Sequence, residues 1–168
     1  MNKPDSKRVK ALLLAAPIGQ YIGEQGSEIL AECTSSEYEV ADNDFLFHQG
    51  EEDHCFYFIT SGHIALVKER KNKDKKPRTL HILDKGDLVG ELSFIDDTAH
   101  TASAMALGNA QVICFKEDDI RPLIMSQPQF MFDFMRAIIK RVHSTVSAIG
   151  KQQMALSDYI SSGGKGRL

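Results

Sequence analysis

Tryptophan is absent from this chain of 168 residues, and cysteine is scarce, with only Cys33, Cys55 and Cys114. Three is an odd number, the spacing is wide, and no pair forms CxxC or stands at zinc spacing from a histidine. A disulfide scaffold and a cysteine-based zinc module are thereby excluded, and all three are read as buried free thiols of a reducing, cytoplasmic compartment. No apolar run reaches the roughly 18 residues needed to cross a bilayer. The opening MNKPDSKRVKALLLAAPIG has basic residues ahead of a short apolar run, yet it lacks a small-x-small cleavage site and continues into a helical pattern. There is no internal repeat and no basic excess. The net charge is −3, so no global field favours nucleic acid. What remains is ordinary globular material, 42% apolar and 26% charged, enough for one domain with a real core and no covalent staple.

Along the chain the apolar rhythm changes twice. Residues 9–31 are predicted to be helical through Val9, Leu12, Leu13, Ile18, Ile22, Ile29 and Leu30, broken into pieces by Pro17 and the glycines at 19, 23 and 26. From residue 36 short β-type runs follow one another: YEVA, DFLFHQ, CFYFIT, HIALVKE, TLHIL, LVGELSF, TASAMAL and QVICFK. Turn signals part them, among them Ser61-Gly62, Lys85-Gly86-Asp87 and Gly108-Asn109. Many short strands at this rhythm predict a sandwich, barrel or roll, with Phe45, Phe47, Phe56, Phe58, Ile64, Leu66, Leu80 and Ile82 as its alternating apolar positions. After Lys116 a short helix is expected to Met125, then a long one from Pro128 to about Tyr159, with Ser126 and Gln129 as a capping box.

The expected organisation is an N-terminal helical segment (1–35), a β-roll (36–116), C-terminal helices (117–159) and a flexible tail (160–168). The long helix carries a broad stripe. Phe134, Ile138, Val142, Thr145 and Ile149 keep a near-heptad seam beside Met135, Ile139 and Val146. One flank could cover the roll while the other meets a twin, so a parallel homodimer is expected. The segment KERKNKDKKPR, residues 68–78, is the one local charge bias. It is either a solvated hairpin loop or a dock for an acidic partner or anionic surface.

The most informative stretch is Asp87-Leu88-Val89-Gly90-Glu91-Leu92-Ser93-Phe94-Ile95. A glycine after a strand lets the backbone turn closely, and the N–H groups that follow can meet an anion. Glu91 cannot hold a phosphate, but it can accept hydrogen bonds from sugar hydroxyls. The same residues also suit a plain structural turn. Asp96 and Asp97 read as the exposed end of that turn, not as a catalytic pair, and His48, His54, His63, His81 and His143 show no paired metal spacing. No nucleophile stands beside a base, so no enzyme is expected.

Taken in order, LFHQGEEDHCFYFITSGHIALVK and ILDKGDLVGELSFIDDTAHTASAMA resemble the cyclic-nucleotide-binding domain family. That family includes the bacterial catabolite activator and the regulatory subunits of protein kinase A. The likeness runs from Tyr38 to Ile124. It implies a mainly β fold with flanking helices, a double-stranded β-helix or jelly-roll-like β-roll, with its phosphate-binding cassette at residues 89–103. It also implies cyclic AMP or cyclic GMP as ligand. Carried over by position, Gly90 is the cassette glycine, Glu91 is the ribose carboxylate, and the amides of Leu92 and Ser93 meet the cyclic phosphate. Thr101 and Ser103 follow as small hydroxyls near the ligand, and Val89, Ile64 and Leu66 line the purine side.

One position departs from the pattern. The family's motif ends in Pro-Arg, with the arginine clamping the phosphate, and here Ala99 and His100 stand in its place. An arginine brings a planar two-pronged donor that is always charged, whereas a histidine is mostly neutral above its reference pKa of about 6.5. Two readings therefore stay open. His100 contacts a ligand in a working sensor that signals to an unknown protein partner, or it is an ordinary residue in a homodimeric interaction module that has lost its ligand. The catabolite activator carries a helix-turn-helix after its long helix. Only a short glycine-rich stretch follows the helix here, so direct DNA reading is not expected.

Overall fold

A computed structural model describes residues 3–69 and 77–161. Two helices open the chain, α1 (Ser6–Ala15) and α2 (Gly19–Glu32). Asp5 caps the first by accepting from the Lys7 amide, and α2 is kinked at Gly23. Six strands follow: β1 (Thr34–Val40), β2 (Phe45–Phe47), β3 (Cys55–Lys68), β4 (Arg78–Leu83), β5 (Leu88–Val89) and β6 (Ser103–Lys116). A short helix α3 (Glu91–Asp96) stands between β5 and β6, and α4 (Glu117–Ile120), α5 (Leu123–Ser126) and α6 (Pro128–Ser161) close the chain. The fold is the expected mainly antiparallel β-roll with helices outside it. Neighbours run β1-β6-β3-β4, with β2 on β6 and β5 on β3.

Several boundaries differ from expectation. CFYFIT and HIALVKE are one strand, β3, and TASAMAL and QVICFK are one strand, β6. The turn signals bend these strands without ending them. Gly62 adopts φ 76°, and a Cβ there would lie 2.4 Å from the Asn109 carbonyl oxygen, so the two chains cross more closely than any side chain permits. The first strand begins two residues early, at Thr34. The expected helix over 117–125 is split at Arg121–Pro122, because proline has no N–H to continue the ladder. The capping box does not form, as Ser126 Oγ donates to the Pro122 carbonyl and Gln129 donates to Asp133. Lys68 pairs with Arg78, so the basic segment does join two antiparallel strands, but 70–76 of it lie outside the described residues.

Period two explains why β3 and β6 are apolar on both faces. Phe56 and Phe58 of β3, with Ile113 and Phe115 of β6, face the helices and pack on Val9, Leu13, Leu30, Phe134 and Ile138. Tyr57 and Ile59, with Val112 and Cys114, point the other way and fill the inside of the roll with Val40, Phe47, Ile64 and Val89. Leu80 and Ile82 break the expected pattern. They stand exposed on β4, which ends the sheet path and has no covering layer. Cys55 and Cys114 are buried free thiols, as expected, but Cys33 is only half-buried.

Helix α6 has 34 residues. At about 1.5 Å per residue it is roughly 50 Å long. Phe134 and Ile138, expected in the seam, belong to the flank that covers the roll, while Met135 and Ile139 stay exposed. Thr145 and Ile149 of the seam, and Val146 beside it, lie outside the residues whose side chains are described, as does the tail from 162 onward. No described helix is long and apolar enough to cross a membrane.

Candidate functional site

Strand β5 is two residues long and pairs with β3 through Val89 and Tyr57. The chain then turns at Gly90, left-handed at φ 81°, into α3. A Cβ on Gly90 would meet the His100 ring at 3.1 Å and the Cys55 carbonyl and Phe47 ring at 3.4 Å, so both conformation and space demand glycine here. Phe94 makes the first helical bond, to the Gly90 carbonyl. The amides of Leu92 and Ser93 precede that bond and have no backbone partner within the helix.

This turn forms one wall of a cavity of about 550 Å³, within the usual size for a small-molecule site. Val89, Gly90, Glu91, Leu92, Ser93, His100 and Thr101 all line it, so seven of the eight expected site residues are brought together. Ser103 is not among the lining residues. It is fully buried, its hydroxyl accepts from the Gln49 amide at 2.8 Å and donates to the Glu69 carboxylate. Of the two further purine-side candidates, Leu66 reaches the cavity, while Ile64 is fully buried inside the roll.

Sequence reasoning missed the opposite wall. Lys140 and Arg141 come from α6, Gln20 and Tyr21 from α2, and Pro17 from the turn before α2. Arg141 donates to the Leu88 carbonyl at 3.2 Å and stands 3.6 Å from Asp87, tying α6 to the strand before the glycine turn. Lys140 Nζ lies 5.1 Å from the Tyr21 ring centre. No local motif marks these two cations. Only the angle at which α6 crosses the roll brings them to the cassette.

Glu91 is the electrostatically unusual member. Burial pushes its carboxyl above the usual range, Asp87 adds to that, and Arg141 and a backbone hydrogen bond offset part of it. His100 is buried and bonded to the roll. Its Nε2–H donates to Asp53 Oδ1 at 2.9 Å, and its ring stacks on Phe47 with centroids 3.7 Å apart. Its amide donates to the Glu51 carbonyl, and its carbonyl accepts from the Gly50 amide. Asp53 also accepts from the Tyr57 hydroxyl at 2.8 Å and the Cys55 amide at 3.2 Å. Burial first, and then that bond, raise the Tyr57 phenol well above its ordinary pKa.

With this geometry in view, residues 37–127 match the family described as the cyclic nucleotide-binding domain. The chain belongs to that family. It is similar to the "Cyclic AMP receptor protein" of Thermus thermophilus, 28% identical over 97 residues, which cover 58% of this chain and 44% of that protein. In shape it is similar to the N-terminal domain of a transcriptional regulator from Streptomyces coelicolor A3(2), with TM-score 0.65 and 26% identity over 82% of this chain and 96% of that one. A cyclic nucleotide-binding domain from Methylobacillus flagellatus KT matches with TM-score 0.71 over 97% of this chain and 88% of that one, at 17% identity, a likeness of fold alone. The chain spans about half the length of the first curated relatives it matches, 44% of one and 55% of another.

Proposed function

We propose that this chain is a regulatory sensor that binds a cyclic nucleotide, or a related ligand with a phosphate, between the Gly90 turn and α6, and passes the signal to a partner. It acts by binding and not by catalysis, in the cytoplasm. The observation that carries this is the pairing of two walls around one cavity. Amides at Leu92 and Ser93 without a partner among the described residues and the carboxyl of Glu91 stand on one side, and Lys140 and Arg141 stand on the other. The amides and cations suit an anion, and a carboxylate suits sugar hydroxyls. In this reading the positive charge for the phosphate comes from α6, since His100 Nε2 is committed to Asp53. Cyclic AMP is the first ligand to try, given the name of the Thermus relative.

A ligand that binds only the folded state raises the unfolding midpoint. Thermal unfolding with cyclic AMP, cyclic GMP and cyclic dinucleotides tests the reading, followed by isothermal titration of any that shift it. No shift and no heat at millimolar concentration overturn it.

The second reading is a homodimeric interaction module without a ligand. The engagement of both His100 and Ser103 by protein groups favours it, as does the exposed flank of α6 at Met135 and Ile139. A parallel homodimer through α6 is compatible with either reading.

A further inference from the structure

We propose that His54, Asp97 and Glu117 form a binding site for one divalent transition-metal ion of the zinc type. The three come from separate segments. His54 precedes β3, Asp97 closes α3, and Glu117 opens α4 directly after β6. None of them lines the cavity of the Gly90 turn.

The distances suit a metal. His54 Nδ1 is 3.5 Å from Asp97 Oδ1 and 3.3 Å from Glu117 Oε2, and all three donor atoms lie within 4.8 Å of one another. A tetrahedral ion with bonds of about 2.0–2.1 Å needs donor atoms about 3.3–3.4 Å apart. Both edges from His54 already have nearly that length, and the Asp97 side chain is exposed enough to close the third by rotation.

The same atoms make a poor set of hydrogen bonds. Nδ1 carries at most one hydrogen and cannot serve two carboxylates, and the two carboxylates repel each other. One cation among them answers all three. One imidazole nitrogen with two carboxylate oxygens suits zinc and its neighbours, whereas calcium takes six to eight oxygens.

The surroundings hold the donors in place. Glu117 presents Oε2 to His54 while its Oε1 accepts from Arg121, an orienting bond of the kind that ligating carboxylates make. The Glu117 amide donates to the His54 carbonyl at 3.0 Å, which fixes the two backbones against each other. His54 and Asp97 both hold left-handed backbone, φ 50° and 55°. A bound ion would pin the end of the cassette helix to the strand ends, giving the turn a second anchor opposite α6.

The test is isothermal titration of the full chain, stripped with chelator and fully reduced, with zinc chloride. One ion per chain at micromolar affinity is expected. His54→Asn and Asp97→Asn remove a donor at positions where asparagine tolerates the left-handed backbone, so both should fold with unchanged circular dichroism. Each should weaken zinc binding about tenfold or more. His63→Asn, in an ion pair elsewhere, should change nothing. Cobalt(II) should give weak visible bands without the thiolate charge transfer that cysteine ligation would produce. The proposal is overturned if the wild type binds no zinc up to about 100 µM, if both folded variants bind as well as the wild type, or if calcium competes at equal concentration.

Discussion

His100 and Asp53 are bound to each other inside the roll, with Nε2–H donating to the carboxylate across 2.9 Å. The histidine expected at the family's arginine position is therefore a fixed part of the wall. It stacks on Phe47 and limits the space over Gly90, and its Nε2–H is taken by Asp53.

Removing Asp53 should be costly. Asp53→Ala leaves His100 and Tyr57 without their acceptor at once. Leaving a buried hydrogen-bonding group without its partner costs about 1–3 kcal/mol. The Asp53 side chain keeps some solvent contact, so a loss of about 2–3 kcal/mol in urea unfolding is expected. An unchanged midpoint would show that the network contributes nothing.

At Gly90 the backbone is left-handed and the nearest ring is 3.1 Å from a would-be Cβ. Gly90→Ala should destabilise by about 1–2 kcal/mol, read as a lower urea midpoint at constant slope. Any ligand affinity should fall with it, because the turn that aims the Leu92 and Ser93 amides must shift.

The cation assignment is tested by comparing two positions against cyclic AMP in isothermal titration. Arg141→Ala should weaken binding by roughly ten- to a hundredfold, the equivalent of a charged hydrogen bond of about 1.5–3 kcal/mol. His100→Arg should tighten binding by a similar factor, since one arm of the fork can hold Asp53 while the other reaches the cavity. If Arg141→Ala binds as the wild type does, Arg141 is not the source of the charge.

Stability should depend on pH through Glu91. Burial raises its carboxyl in the folded state above the ordinary 4.5, so the native chain holds that proton more tightly than the unfolded chain. Stability from this group is then greatest at low pH and falls as pH rises through the raised value. Glu91→Gln should flatten that part of the urea-midpoint profile and leave the protein at least as stable at pH 7. A variant with the same slope as the wild type would remove Glu91 as its cause.

On α6, Ile139 is 63% exposed. If two copies meet there, Ile139→Glu should convert a sedimenting dimer to a monomer at tens of micromolar without changing the thermal midpoint of the roll by more than a few degrees. A wild type that sediments as a monomer would remove the dimer.

Much of the fold was legible in the sequence because its signals are local. Alternation in CFYFIT and QVICFK marks strands buried on both faces, and the change to helical spacing after Lys116 marks the closing helices. Gly90-Glu91 after an apolar strand marked the turn, and seven of the eight expected site residues do line one cavity. The misses are equally physical. Gly62 and Gly108 read as ends of strands, but glycine also permits a strand to bend and continue. Leu80 and Ile82 alternate correctly yet lie on a strand with no layer to cover them.

By itself the sequence determined the class of this protein, its single roll and the glycine turn, since each depends on residues adjacent in the chain. Only the tertiary structure decided which groups face one another. Asp53 and His100 are 47 positions apart, and Leu88 and Arg141 are 53. His54, Asp97 and Glu117 meet because a loop, a helix end and a strand end converge at one rim. Periodicity says which face of an element is buried, but the partner across that face depends on the crossing of whole helices and strands.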